Sequence, residues 1–213
     1  MQEGMNSIEL CGVVAAEPAF SHENHGQSFY RFPLEVERLS GQADRIEILA
    51  LSATLSSAAI SQGARIRVLG QLRSYNNRSD SGRRLIISVL ANVITPWEGE
   101  ARNTVLLSGA LCKPPILRRT PLGRSICDVM LAVNRRYGRS DYLPCIAWGQ
   151  LAMQLGALEV GAAVALEGRM QSRTYTKVID GQTEERVAYE ISIMRLAGEA
   201  VPQAEEEAEE AEA

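Results

Sequence analysis

The chain contains one pattern written twice. Slid against itself by 97 positions, it brings Asn6, Gly12, Val36, Gly41, Asp44 and Ala50 onto Asn103, Gly109, Val133, Gly138, Asp141 and Ala147. One inserted residue raises the offset to 98, which takes Gly63 to Gly161 and Gly70 to Gly168. Further on, Ile87-Ser88-Val89 matches Ile191-Ser192-Ile193 at an offset of 104, which predicts about six extra residues in the last hairpin of the second copy. Solenoid repeats run to ~20–50 residues. A period near one hundred therefore means two tandem domains, each long enough to bury a core.

Both copies follow the same order of elements. In the second, 104–111 is an apolar strand broken by Lys113-Pro114-Pro115, and 125–133 is a second strand after the turn Pro121-Leu122-Gly123. A third strand covers 142–148. Leu151, Leu155 and Leu158, three or four apart, predict a short amphipathic helix over 150–158. A fourth strand over 163–175, the turn Asp180-Gly181 and a fifth strand over 187–196 complete the unit. The first copy predicts strands over 7–14, 28–36, 45–51, 64–74 and 84–94, with a helix near 52–61. Three strands, a short helix and two strands is the order of the OB-fold, a five-stranded Greek-key barrel with an oligonucleotide-binding face. The fold class expected is thus all-β with short helices, as two tandem OB barrels. Residues 1–96 form the first, 97–102 a linker, 103–198 the second, and 199–213 a disordered acidic tail.

The net charge of −4 hides an uneven distribution. Residues 1–100 carry nine basic and eleven acidic side chains, residues 101–198 thirteen and eight, and residues 199–213 seven glutamates with no base. A basic half between an acidic half and an acidic tail suggests a polyanion partner for the second barrel. Within it, residues 134–151 (NRRYGRSDYLPCIAWGQL) gather Tyr137, Tyr142 and Trp148 among Arg135, Arg136 and Arg139. Only eleven rings occur in the whole chain, and three fall within these twelve positions from 137 to 148. Cations for phosphates interleaved with flat faces for unstacked bases are what single-stranded nucleic acid needs. If the third strand alternates, Tyr142, Pro144, Ile146 and Trp148 share one face, and the small Cys145 and Ala147 turn with Leu143 into the barrel.

Other chemistry finds no foothold. Cys11, Cys112, Cys127 and Cys145 lack CxxC spacing and read as reduced thiols. His22 and His25 sit in a polar turn without neighbouring Cys or Asp ligands, so no metal and no cofactor is expected. There is no P-loop and no GxGxxG, and no nucleophile–base arrangement suggests an enzyme. The start MQEGMNSIEL lacks the features of a signal peptide, and no apolar run approaches the ~18 residues of a membrane span. A cytoplasmic location is expected.

With these residues in view, the second copy resembles the bacterial single-stranded DNA-binding proteins. The likeness rests on NTVLLSG (103–109), LAVNRRY (131–137), AWGQLA (147–152) and LEGRM (166–170), in that order. The first copy resembles the family more weakly, through Gly12, the LGQLR segment (69–73) and the strand pattern. The resemblance implies largely sequence-independent binding and protection of single-stranded DNA in replication, recombination or repair. It also implies base stacking by Tyr137, Tyr142, Trp148 and Tyr175. Arg135, Arg136, Arg139, Arg169, Arg173 and Lys177 flank those rings and are the expected phosphate contacts, with Arg118 and Arg119 as further candidates. The family commonly assembles four OB barrels, so this chain would need only a homodimer, with replication or repair proteins as further partners and the nucleoid as its place of work. Two readings from other classes stand beside this one: a scaffold for a replication-restart or mobile-element transfer complex, and RNA binding.

The first copy departs from the pattern. At the corresponding positions Ser40, Arg45, Leu51 and Asn77 replace the four rings. Its own rings, Phe29, Tyr30 and Phe32, lie in the second strand, where a core role is expected. Tyr75 with Arg73, Arg78, Arg83 and Arg84 is the one place where it could touch a strand. The family's tail usually ends in a hydrophobic tip that recruits other proteins, whereas this tail ends Glu209-Glu210-Ala211-Glu212-Ala213.

Overall fold

The computed structural model describes residues 4–56, 60–79, 82–179 and 182–197, without the side chains of 77–79, 82–84, 177–179, 182 and 184–186. The expected Asp180-Gly181 turn, the acidic tail and the Lys177 side chain lie outside this set.

The first barrel consists of β1 (Asn6–Val14), β2 (Ala19–Asn24), β3 (Gln27–Glu37), β4 (Ala43–Leu51), α1 (Ser52–Ser56), β5 (Arg65–Ser79) and β6 (Gly82–Pro96). The second repeats it as β7 (Arg102–Leu111), β8 (Ile116–Arg119), β9 (Ser125–Asn134), β10 (Ser140–Trp148), α2 (Gly149–Gly156), β11 (Ala163–Ile179) and β12 (Gln182–Leu196). Closure follows OB topology in each. β1 pairs with both β3 and β5, and β4 runs parallel to β6. β7 likewise pairs with β9 and β11, and β10 runs parallel to β12. Alternation fills the interiors: Leu10, Phe32, Ile46, Ile48 and Leu72 in one barrel, Leu107, Leu131, Leu143, Met170 and Ile191 in the other. For β1 to serve two neighbours it must bend sharply against β3. A Cβ on Gly12 would strike the Glu35 carbonyl oxygen, and one on Gly109 the Ala132 carbonyl oxygen. That close approach is why glycine recurs there.

Three expectations change. The short edge strands β2 and β8 are additional to the five-strand pattern, since four to six mostly exposed residues carry no burial period. The last hairpin is longer by four residues rather than six. Ile48 pairs with Val89 and its equivalent Cys145 with Ile191, so the offset at the last strand is 102. A two-residue slip keeps every side chain on its face, and apolar matching cannot detect it. Finally, of Phe29, Tyr30 and Phe32, for which a core role was expected, only Phe32 is buried. Phe29 stacks on His22 at 4.8 Å between centroids, and Tyr30 meets Phe20 edge to face at 5.9 Å. Both lie where β3 pairs with β2 on one side and with β4 on the other.

The barrels share a sheet. β1 and β7 pair antiparallel from Asn6↔Leu107 to Cys11↔Arg102, which joins all twelve strands. Ile8 lies opposite Val105, its own repeat equivalent 97 positions on. The pair therefore marks a pseudo-two-fold axis between the barrels.

Candidate nucleic-acid interface

Strand β10 displays the alternation its sequence predicts. Leu143, Cys145 and Ala147 are buried, and Tyr142 and Trp148 on the opposite face are each 45 % exposed. Pro144 lies between them half-buried, and Ile146 is covered. The Cys145 thiol is pushed up to about 12 by burial, so it packs as a small apolar group and is no nucleophile. Gly149, at a φ of +60°, turns the chain from Trp148 directly into α2.

The loop entering β10 presents the third ring. Residues Arg136–Gly138 form a single 3-10 turn, closed by the Arg135 N–H donating to the Arg139 carbonyl at 2.7 Å. Tyr137 adopts a left-handed conformation (φ 61°, ψ 34°), uncommon for an aromatic residue, and its ring is 96 % exposed. A strained backbone that holds a ring in solvent is a feature of ligand sites. Tyr175 lies half-exposed on β11, opposite Arg186 in the long β11–β12 hairpin.

The arginines divide. Arg136, Arg139 and Arg173 are exposed. Arg135 is instead half-buried, with its Nε 2.8 Å from the fully buried Asp141 carboxylate and its Nη2 donating to the Ser74 carbonyl at 3.4 Å. Burial lowers its proton affinity more than Asp141 raises it. Arg169 lines a groove at the barrel junction with Arg38, Asp44 and Glu100, which none of the four rings borders. Arg118 pairs with Asp128 at 2.7 Å, which neutralises an acid on the strand beside β10.

Two residues hold this site from the other barrel: Ser74, for which the sequence suggested no role, and Arg73. The Ser74 N–H donates to Asp141 Oδ1 at 2.6 Å, its Oγ accepts the Tyr142 N–H at 2.7 Å, and Arg73 reaches Asp141 at 3.2 Å. Across the pseudo-two-fold, Ser172 N–H donates to Asp44 at 2.7 Å and Ser172 Oγ accepts the Arg45 N–H at 3.0 Å. Arg38 pairs with Asp44 as Arg135 does with Asp141. The signal was present in the repeat, because Asp44 and Asp141, Arg38 and Arg135, and Ser74 and Ser172 recur at offsets of 97 or 98. Polar identity preserved between divergent copies marks a contact made twice.

The first barrel is not blank. A groove of about 1050 Å³ lies over β3 and β4, lined by Arg31, Arg45, Glu47 and Tyr75, and by Val187 and Tyr189 from β12 of the second barrel. Among the described residues no group of three or more His, Cys, Asp or Glu could hold a metal, and no helix is long and apolar enough to cross a membrane.

Comparison with known proteins agrees with this architecture. The model of the single-strand binding protein family matches residues 102–197. The chain is 27% identical over 227 residues to the single-stranded DNA-binding protein of Thermus aquaticus, covering 92% of this chain and 85% of that one. The Bacillus cereus single-stranded DNA-binding protein is 35% identical over 92 residues, which span 40% of this chain and 52% of that protein. The crystal structure of the wild-type Thermus aquaticus protein superposes with a TM-score of 0.74 at 26% identity, covering 92% of this chain and 93% of that one. Residues 102–197 thus match the single-strand binding protein family, and the two-barrel chain as a whole is similar to the Thermus aquaticus single-stranded DNA-binding protein.

Proposed function

We propose that the protein binds single-stranded DNA with little sequence preference and protects it during replication, recombination or repair, without catalysing a reaction. The observation that carries this reading is the β10 face, where Tyr142 and Trp148 stand half-exposed beside the outward Tyr137. Bases stack on these rings and on Tyr175, while Arg136, Arg139, Arg173 and Lys177 contact phosphates. Arg135 acts through Asp141, and Arg169 serves the flank of the path rather than its centre. Residues 103–198 are the principal binding domain, and residues 1–96 are chiefly a pairing and supporting domain. Two chains form a homodimer of four OB barrels that works on DNA in the cytoplasm.

Titrating the full chain with oligo-dT at two salt concentrations, with duplex of equal length as comparison, tests this. Binding that is strong for oligo-dT, weak for duplex and falls linearly in log affinity with log salt is expected. Equal affinity for duplex, or indifference to salt, overturns it. Tighter binding to the matching RNA would move the reading to RNA.

A further inference from the structure

The stacking rings of the second barrel are anchored partly in the first. Tyr142 opens the exposed face of β10, and its N–H, where a neighbouring strand would otherwise accept, meets the Ser74 hydroxyl at 2.7 Å. Ser74 is only 6 % exposed, and its own N–H ends on Asp141 at 2.6 Å. Asp141, with no exposure, also takes Arg135, the residue whose N–H closes the loop that carries Tyr137. One serine of the first barrel is thus the hub between two rings of the second. The wiring is symmetric but its load is not. In the mirror position, Ser172 holds Arg45 and Asp44, and the loop beyond carries Ser40 where Tyr137 would stand.

We propose that Ser74 is a positioning residue for the single-stranded DNA site, so that the stacking face is completed across the barrel junction and is not a property of the second barrel alone. The inference rests on the DNA reading given above. Buried hydrogen bonds that fix a backbone reduce the freedom a ring must lose when a base stacks on it, which strengthens binding without a new contact.

The test uses the full chain and a built-in control. Ser74→Ala leaves the Tyr142 N–H without its acceptor, and Ser172→Ala does the same to the Arg45 N–H in the mirror latch. Both variants should lose similar stability to urea. Ser74→Ala should weaken oligo-dT binding about five- to ten-fold, the scale of one lost buried hydrogen bond, and Ser172→Ala should leave it near wild type. In a Tyr142→Ala background the Ser74 effect should largely vanish, whereas in a Trp148→Ala background it should persist. Ser74→Cys, similar in volume and a weak acceptor, serves should Ser74→Ala fail to fold. Equal losses in the two serine variants, or an undiminished Ser74 effect without Tyr142, overturn the proposal. If the wild type binds oligo-dT and Ser74→Ala binds equally well, this inference alone falls. If the wild type does not bind at all, the DNA reading falls first.

Discussion

Arg67 lies over the indole of Trp97, with its Cζ 5.7 Å from the ring centroid, and Arg102 stands at 5.8 Å from the same ring. Glu9 pairs with both arginines, and the indole N–H donates to the Glu100 carbonyl at 2.9 Å. One of the chain's two tryptophans is therefore held at the junction between barrels, while Trp148 is half-exposed on β10. Quenching of intrinsic fluorescence by oligo-dT should consequently belong to Trp148. Trp148→Phe should abolish most of the quench and Trp97→Phe should preserve it. A quench that survives in Trp148→Phe would relocate the site.

Removing single rings should grade the site. Tyr142→Ala and Trp148→Ala should each weaken oligo-dT binding by about 1–3 kcal/mol, the usual worth of a base stacked on an aromatic side chain. Tyr75→Ala in the first barrel, also exposed but without a second exposed ring on its strand, should cost less than either. Fluorescence anisotropy at one fixed salt concentration measures all three. A Tyr75 effect equal to that of Trp148 would give the first-barrel groove an equal share of the DNA.

Fold and face were legible in the sequence because both depend on periodicity. Leu143, Cys145 and Ala147 had to turn inward once Tyr142 and Trp148 turned outward, and the strand pairing agrees. Arg135 was not legible. As a letter it is one more cation in a basic run, and only the fold shows a buried carboxylate beside it. Ser74 was missed for a related reason: its recurrence as Ser172 marks a repeated contact but does not say that the partner lies 67 or 68 residues away on another barrel. Phe29 and Tyr30 were misread because hydrophobicity predicts burial, whereas these two rings pack half-exposed on His22 and Phe20 of the edge strand β2.

Glu47 should give stability a pH dependence of defined sign. It lies half-buried in the first-barrel groove, where desolvation raises its proton affinity and Arg31 and Arg45 offset that only in part. A carboxyl raised in the folded state contributes stability fully present below its ordinary value of 4.5, and this is lost as pH rises through the folded value. At neutral pH the ionised group is a cost. Glu47→Gln should therefore be more stable than wild type at pH 7, and the difference should shrink towards zero below 4.5. Urea midpoints at both pH values decide it. A constant difference would show that the carboxylate is as well solvated as in the unfolded chain.

The acidic segment 199–213 should compete with DNA. Seven glutamates follow a barrel that carries five more basic than acidic side chains, so the tail can occupy the same cationic surface. Truncation after residue 198 should tighten oligo-dT binding at about 0.01 M salt, where the Debye length is ~30 Å, and matter little at 0.1 M, where it is ~10 Å. Equal binding by full and truncated chains at low salt would leave the tail as a solubility device or a docking strand.

The strand pairing of β1 with β7 has a consequence for how such a chain can change. Two barrels that meet as separate subunits part on dilution, and each substitution appears in both at once. Here the pairing is intramolecular, held at an effective concentration that dilution cannot lower. A substitution then strikes one copy and spares the other. The ring-bearing positions could become Ser40, Arg45, Leu51 and Asn77 in the first barrel while Tyr137, Tyr142, Trp148 and Tyr175 were kept in the second. The duplicate gained licence to specialise, provided it retained the few polar atoms on which its twin's geometry depends.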